Sequence, residues 1–179
     1  NKAGINLFDI GNDKQGIVHV ISAEQGITLP GLIQVCPDSH TCTLGALGAL
    51  AWGIGSSEGE HALATKTLSV KRPKLMRVRF EGKLNQGVTS KDMILYLIGK
   101  YSASGGVGHA IEFSGDTINS LEQEARFTLC NMAVEFGCFT GLIAPDQKTF
   151  DFVYGRPFAP KERDFENALV FWKKLYSDD

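Results

Sequence analysis

Leu32-Ile33-Gln34-Val35-Cys36 runs directly into Pro37-Asp38-Ser39-His40-Thr41 and then, from Thr43 to Gly55, into TLGALGALAWGIG. Leu32 to Cys36 is a short apolar run with β-branched members, which reads as a buried strand. Thr43 to Gly55 has small residues at positions 45, 46, 48, 49, 51, 53 and 55. It is predicted as a helix whose bare surface lets another backbone or a ligand approach closely, at a cost of about 1 kcal/mol per Gly relative to Ala. The polar segment Asp38 to Thr41 therefore stands at the carboxyl end of a strand, facing a helix N-terminus. Free backbone N–H groups and the helix dipole favour anions there, so a carboxylate substrate suits the place. Pro37 fixes the entry angle, Ser39 and Thr41 can donate hydrogen bonds, and His40 can give or take a proton near neutral pH. The same spacing also fits an Asp/Ser helix cap with an incidental histidine.

Outward from this stretch, strands and helices alternate. Upstream, Gly16 to Ser22 (GIVHVIS) is apolar and β-branched and is predicted as a second buried strand carrying His19, with a turn at Ile27 to Gly31 between the two. Downstream, Ser57 with Glu60 has a capping-box pattern and opens a helix to about Thr67. Met76 to Phe80 alternates apolar and basic residues as a half-exposed strand. Thr89 to Asp92 caps a helix through Met93, Ile94, Leu97 and Ile98, stopped by the Ser/Gly cluster from Ser102 to Gly108, and His109 to Phe113 is the next strand. A helix from Ser120 and Gln123 is expected to reach Gly137, and a final one to span Asp164 to Tyr176. Tyr154 to Lys161, with two prolines and a glycine, is expected as an extended linker. Such alternation points to an α/β layered fold, read as one domain portion over residues 1–153 followed by a linker and trailing helix over 154–179.

Asn131 and Glu135 stand four apart in the predicted helix ending at Gly137, which places them on one face. A Glu flanked by Cys130, Met132, Val134 and Phe136 is either paired or functional, unless this face is simply solvated. His19 inside an apolar strand also fits an ordinary hydrogen-bonded core histidine.

Composition removes several classes of function. At 43% hydrophobic and 21% charged residues the chain has the make-up of a globular protein rather than a disordered one. Eighteen basic against twenty acidic residues leave a formal charge of -2, which gives no field attracting nucleic acid. No apolar run reaches the ~20 residues of a membrane helix. The start at Asn1 lacks a leader and an initiator Met, so processed termini or a fragment are expected. Cys36, Cys42, Cys130 and Cys138 show no C-x-x-C spacing and are read as reduced, buried residues of a cytoplasmic protein. A zinc site on His19, His40, His61 and His109 lacks recognisable ligand spacing.

Four ordered blocks carry a family resemblance. Cys36 to Thr41 followed by Gly45 to Glu58 resembles the D-S-H-T segment of aconitase-type hydro-lyases, and Glu60-His61 with Ala64-Thr65 is most similar to 3-isopropylmalate dehydratase large subunits. Gly16 to Val20, Leu129 to Gly137 and Ile143 to Asp146 resemble the same family. The resemblance implies a three-layer αβα aconitase-type domain, incomplete here, and an enzyme that removes water from a hydroxy diacid and adds it back. It implies interconversion of 2- and 3-isopropylmalate in leucine biosynthesis, with a small swivelling-domain subunit as partner. Carried across by motif, His40 is expected at the leaving hydroxyl with Glu135 as its charge partner, and His19 pairs with Asp38. Ser39 and Asn131 would bind the substrate, Asn131 orienting water or a cluster sulfur. The family holds a 4Fe-4S cluster by three cysteines, with one iron open as a Lewis acid. Its C-T-N and C-x-x-C cysteines are missing from this chain, so no cluster and no turnover are expected of the chain alone. Pro37, where the isopropylmalate enzymes usually have Gly, and Cys42 depart from the pattern and keep open a paralogue acting on a methyl-substituted malate, or a binding module that kept the fold without the chemistry.

Overall fold

The computed structural model describes residues 4–177. Two parallel sheets form its frame. β1 (Ile33–Cys36) pairs with β2 (Leu50–Gly53) in the register Ile33↔Leu50 to Cys36↔Gly53. β3 (Lys74–Arg79), β4 (His109–Ser114) and β5 (Thr140–Leu142) form the second sheet in that spatial order. The α/β class expected from the alternation is the one found, with every strand pair parallel.

A parallel pair needs a long crossover, because the chain must return to the same end of the sheet before the second strand starts. Between β1 and β2 that crossover is a 3-10 helix, Ser39–Leu47, and not the long helix predicted from Thr43 to Gly55. The small residues explain the difference. Gly48 adopts φ 75°, a left-handed conformation that ends the segment, and Leu50 to Gly53 then extends as β2. Gly45 is packed so tightly that a Cβ on it would stand 1.7 Å from the Gly141 carbonyl oxygen. The close backbone approach expected of this stretch is therefore present, made by a 3-10 turn against β5.

Gly16 to Ser22 is likewise not a strand. Its core is α1 (Val18–Glu24), preceded by Ile17 in extended conformation and burying Ser22 and Ala23. A short apolar run has no period of its own, and burial of one side of a two-turn helix fits it as well as a strand does. α2 (Ser56–Thr65) has its capping box two residues earlier than expected, with Glu58 Oε2 accepting the Gly55 N–H at 2.7 Å. α3 (Ser90–Tyr101) begins as expected, Thr89 donating its N–H and hydroxyl to Asp92 Oδ2 at 2.8 and 2.7 Å. After β4 come a short α4 (Asp116–Ser120) and α5 (Gln123–Asn131). α5 ends six residues before Gly137, so Glu135 lies in a turn beyond it and does not share a helical face with Asn131. Gly137, at φ 90°, closes that turn, in which Cys138 N–H reaches back to the Ala133 carbonyl at 3.0 Å.

α6 (Gln147–Val153) follows β5, and Tyr154 to Lys161 turns back rather than extending, with the Phe158 N–H donating to the Gln25 carbonyl at 2.8 Å. α7 spans Glu162–Trp172, shorter at its end than expected, and buries Phe165 and Trp172. Two cores result. One packs Met76, Val78, Ile111 and Phe113 of the larger sheet on Met93, Ile94 and Leu97 of α3 and Leu129 and Cys130 of α5. The other gathers Ala23, Leu44, Leu47, Ala51, Phe150, Val153, Phe165 and Trp172.

A buried charge ties α5 to α6. Arg126, its side chain 1% exposed, donates Nη1 and Nη2 to Asp146 Oδ1 and Oδ2 at 2.7 and 2.5 Å, while Oδ1 also accepts the Thr149 N–H at 3.2 Å as the cap of α6. Burial pushes the Asp146 carboxyl up, but the Arg126 hydrogen bonds and charge, with the Thr149 and Lys148 amides, outweigh it and hold it below its ordinary 3.8. A carboxyl depressed in the fold lends stability that is present above its unfolded value and lost as pH falls through the folded one. Asp146→Ala is expected to cost about 3 kcal/mol in denaturant melts at neutral pH, because it leaves a buried guanidinium uncompensated. Wild type and variant should converge as pH falls below 3.8.

Candidate acid–base site

Asp38, two residues beyond β1, has extended backbone, φ -149° and ψ 128°, and caps the 3-10 helix. Its Oδ1 accepts the His40 N–H at 2.8 Å, and its carbonyl accepts the Thr41 hydroxyl at 2.7 Å. Asp and Ser at this point favour such local bonds over a regular first turn. The helix-cap reading of the segment is thus present in the structure, together with a second set of contacts that a cap does not need.

That second set joins two histidines. Asp38 Oδ1 lies 3.0 Å from His19 Nε2 and 3.8 Å from His40 Nδ1, which also meets Ser39 Oγ at 3.2 Å. The other ring nitrogen of His40, Nε2, stands 2.7 Å from Glu135 Oε1. The ring centroids of His19 and His40 are 6.3 Å apart. Two imidazole–carboxylate pairs therefore converge, with one oxygen of Asp38 between them. The His40 N–H holds the Asp38 carboxyl below the usual carboxylate range, aided by the charge and hydrogen bond of His19 and the charge of His40, against a smaller opposing effect of burial.

Exposure differs across the group. The His19 side chain is 10% exposed, whereas His40 and Glu135 are 36% and 41% exposed. His19 is thus a held partner in the wall, and the His40–Glu135 pair is open to an incoming molecule. Carboxylates on an imidazole fix its orientation and hold its proton at a defined atom, which suits proton transfer to or from a small ligand.

Asn131 and Glu135 reach the same ridge by different routes. Asn131, the last residue of α5, donates Nδ2 to Thr43 Oγ1 at 2.9 Å, and Thr43 Oγ1 donates to the His40 carbonyl at 2.6 Å. In a 3-10 helix residues three apart eclipse one another, so His40 and Thr43 form one ridge that faces α5 and the turn after it. All six residues singled out from the sequence, His19, Asp38, Ser39, His40, Asn131 and Glu135, thus belong to one neighbourhood. Thr43 was not among them, and its only signal was its place three residues after His40. Gly53 was seen only as a small residue. A Cβ on it would stand 2.5 Å from the Asp38 carbonyl oxygen and 2.7 Å from Ser39 Cα, so β2 passes directly beneath the site.

The cysteines do not complete a cluster-ligand set. Cys42, Cys130 and Cys138 are buried and Cys36 is half-buried. Burial pushes the thiols of Cys42 and Cys138 up to about 12, that of Cys130 well above its ordinary value, and that of Cys36 upward. Thiolate ligation favours the opposite shift. Among the described residues no group of three or more His, Cys, Asp or Glu side chains is placed to hold a metal ion, and no helix is long and apolar enough to cross a membrane. The described residues therefore do not fit an iron–sulfur cluster.

Gly53→Ala is expected to push the Asp38–Ser39 backbone off β2. It should shift the ring signals of both His19 and His40 in nuclear magnetic resonance spectra, leave those of His61 and His109 in place, and cost about 1 to 3 kcal/mol in denaturant melts.

A family model described as the aconitase family (aconitate hydratase) matches residues 1–179. With parallel α/β sheets and that match over its whole length, the chain belongs to the aconitase family and is a hydro-lyase domain of it.

Proposed function

We propose that this chain is the histidine-bearing part of the large subunit of a cytoplasmic hydro-lyase that interconverts 2-isopropylmalate and 3-isopropylmalate in leucine biosynthesis. The observation that carries the reading is the sharing of Asp38 Oδ1 by His19 and His40 while Glu135 takes the far nitrogen of His40. Hydroxide is a poor leaving group, so dehydration needs a proton delivered to the departing oxygen. His40 delivers it as the C–O bond breaks and takes it back in the reverse addition, with Glu135 fixing its Nε2, while the base that accepts the proton leaving the neighbouring carbon belongs, in this reading, to polypeptide outside these 179 residues. His19 holds Asp38, Ser39 donates a hydrogen bond to the substrate, and Asn131 orients water. The iron–sulfur cluster of the family and the small swivelling-domain subunit belong, in this reading, to polypeptide outside these 179 residues. Residues 154–179 are assigned to the same subunit as a trailing segment.

Pro37, in place of the usual Gly, favours a second reading in which the substrate is a methyl-substituted malate. Turnover of both acids by the complete enzyme separates the two, since one methylene in an apolar site changes kcat/KM by roughly 10- to 200-fold.

In the complete enzyme, His40→Ala and Glu135→Gln are each expected to lower kcat by about a hundredfold or more while the protein stays folded. The half-exposed position of both side chains makes loss of the fold an unneeded explanation. Unchanged turnover in both variants would return the domain to a binding role without chemistry.

A further inference from the structure

Thr43 is 6% exposed, so it is built into the wall of the acid–base site rather than offered to a ligand. Its hydroxyl has a single hydrogen, and the His40 carbonyl stands 2.6 Å from Oγ1. A carbonyl can only accept, so that hydrogen is spent there and Oγ1 is left with lone pairs. The Asn131 amide atom 2.9 Å from Oγ1 must therefore be a donor, and Nδ2 is the one that satisfies both groups. Turned over, the amide would set its own oxygen against those lone pairs. One hydroxyl thus decides which end of Asn131 faces the wall and which faces outward, a choice that an isolated amide leaves open.

The main chain of Asn131 is held from the same side. Its carbonyl lies 3.5 Å from Cys42 Sγ, a thiol that burial pushes up to about 12 and so keeps as a donor. Two consecutive residues of the 3-10 helix therefore grip the last residue of α5. Asn131 Oδ1, by contrast, accepts no hydrogen bond among the described residues, yet it is not one of their buried unpartnered atoms. An accessible acceptor of fixed orientation is left at the ridge that carries His40.

We propose that Thr43 is a positioning residue of the acid–base site, locking the Asn131 amide with Nδ2 on the wall so that Oδ1 accepts a hydrogen of the water or substrate hydroxyl that exchanges its proton with His40. The assignment rests on the hydro-lyase reading and adds to it a residue that touches no reacting atom. An amide free to turn presents its nitrogen as well as its oxygen, and a water facing the wrong end is not oriented for addition.

Thr43→Val keeps the shape of the side chain and removes the hydroxyl. In the complete enzyme it is expected to lower kcat by about tenfold or more and to leave KM nearly unchanged, because the lock serves the reacting water and not the hold on the substrate. Thr43→Ser, which keeps the hydroxyl, should recover most of the rate. A role in packing alone predicts the reverse order, since valine keeps the methyl group that serine lacks. In an Asn131→Ala background Thr43→Val should cost nothing further, the group it positions being gone. In magnetic resonance spectra of the full chain with nitrogen-labelled asparagine, Thr43→Val should shift both Asn131 amide hydrogens and Thr43→Ser should leave them near their places.

Wild-type turnover in Thr43→Val, losses that multiply in the double variant, or Asn131 amide signals that do not move overturn the inference. Should Thr43→Val not fold, Asn131→Asp tests the lock from the other side, because it keeps the outward oxygen but sets a second one against Thr43; an unchanged kcat there overturns it as well. If Asn131→Ala and Thr43→Val leave turnover intact while His40→Ala abolishes it, the hydro-lyase reading stands and the positioning role alone falls. If His40→Ala is silent too, the reading itself falls and the role with it.

Discussion

The contact between Gly45 and Gly141 is the constraint on which the rest of this structure depends. The Gly141 carbonyl comes so close to Gly45 that no side chain fits between them, and the Ile143 N–H donates to the Gly45 carbonyl at 3.1 Å. Thr140 Oγ1 adds a bond to the Ala51 carbonyl at 2.5 Å. Through these bonds β5 is tied to the 3-10 crossover and β2, and the two parallel sheets become one body. Buried backbone groups must be paired, and here pairing across the glycines supplies the rigid seat for His40. From that seat the ridge of His40 and Thr43 faces the end of α5, where Asn131 and the turn carrying Glu135 meet it.

Two ion pairs in the molecule show how burial separates structural from chemical roles. Arg126 is enclosed and bidentate on Asp146, and its geometry spends both carboxylate oxygens on the fold. Asp38 instead divides one oxygen among a backbone amide and two imidazoles, while Glu135 stays open to water. The enclosed Arg126, held by both oxygens of Asp146, fixes α5 against the cap of α6. The open group can exchange protons with a visitor, because neither His40 nor Glu135 is sealed by packing.

The expected pairing of elements was readable where local chemistry acts alone. Thr89 and Asp92 form their reciprocal cap, and Met76 to Phe80 pairs as the alternation of apolar and basic residues requires. The D-S-H-T segment at a strand end could be placed as well, since Asp38 and Ser39 make their bonds within three residues. Two of the misread stretches have a conformation that is set from outside. Gly16 to Ser22 is apolar without a period, so only the packing of Ser22 and Ala23 selects a helix. In Thr43 to Gly55 the small residues permit a helix, yet Gly48 turns left-handed and Leu50 finds a strand partner in Ile33.

Sequence by itself determined which groups were available: two histidines, two carboxylates, a serine and an asparagine in ordered blocks, in a chain with alternating strand and helix signals. It determined the parallel α/β class, because alternation leaves few other ways to bury every apolar face. The family resemblance already paired Glu135 with His40, but only the tertiary structure decided that it reaches across 95 residues from a turn and not from the helix face its spacing suggested. That meeting depends on where α5 stops and how closely two glycine backbones approach. Both are settled by packing between distant segments, which no local pattern of residues encodes.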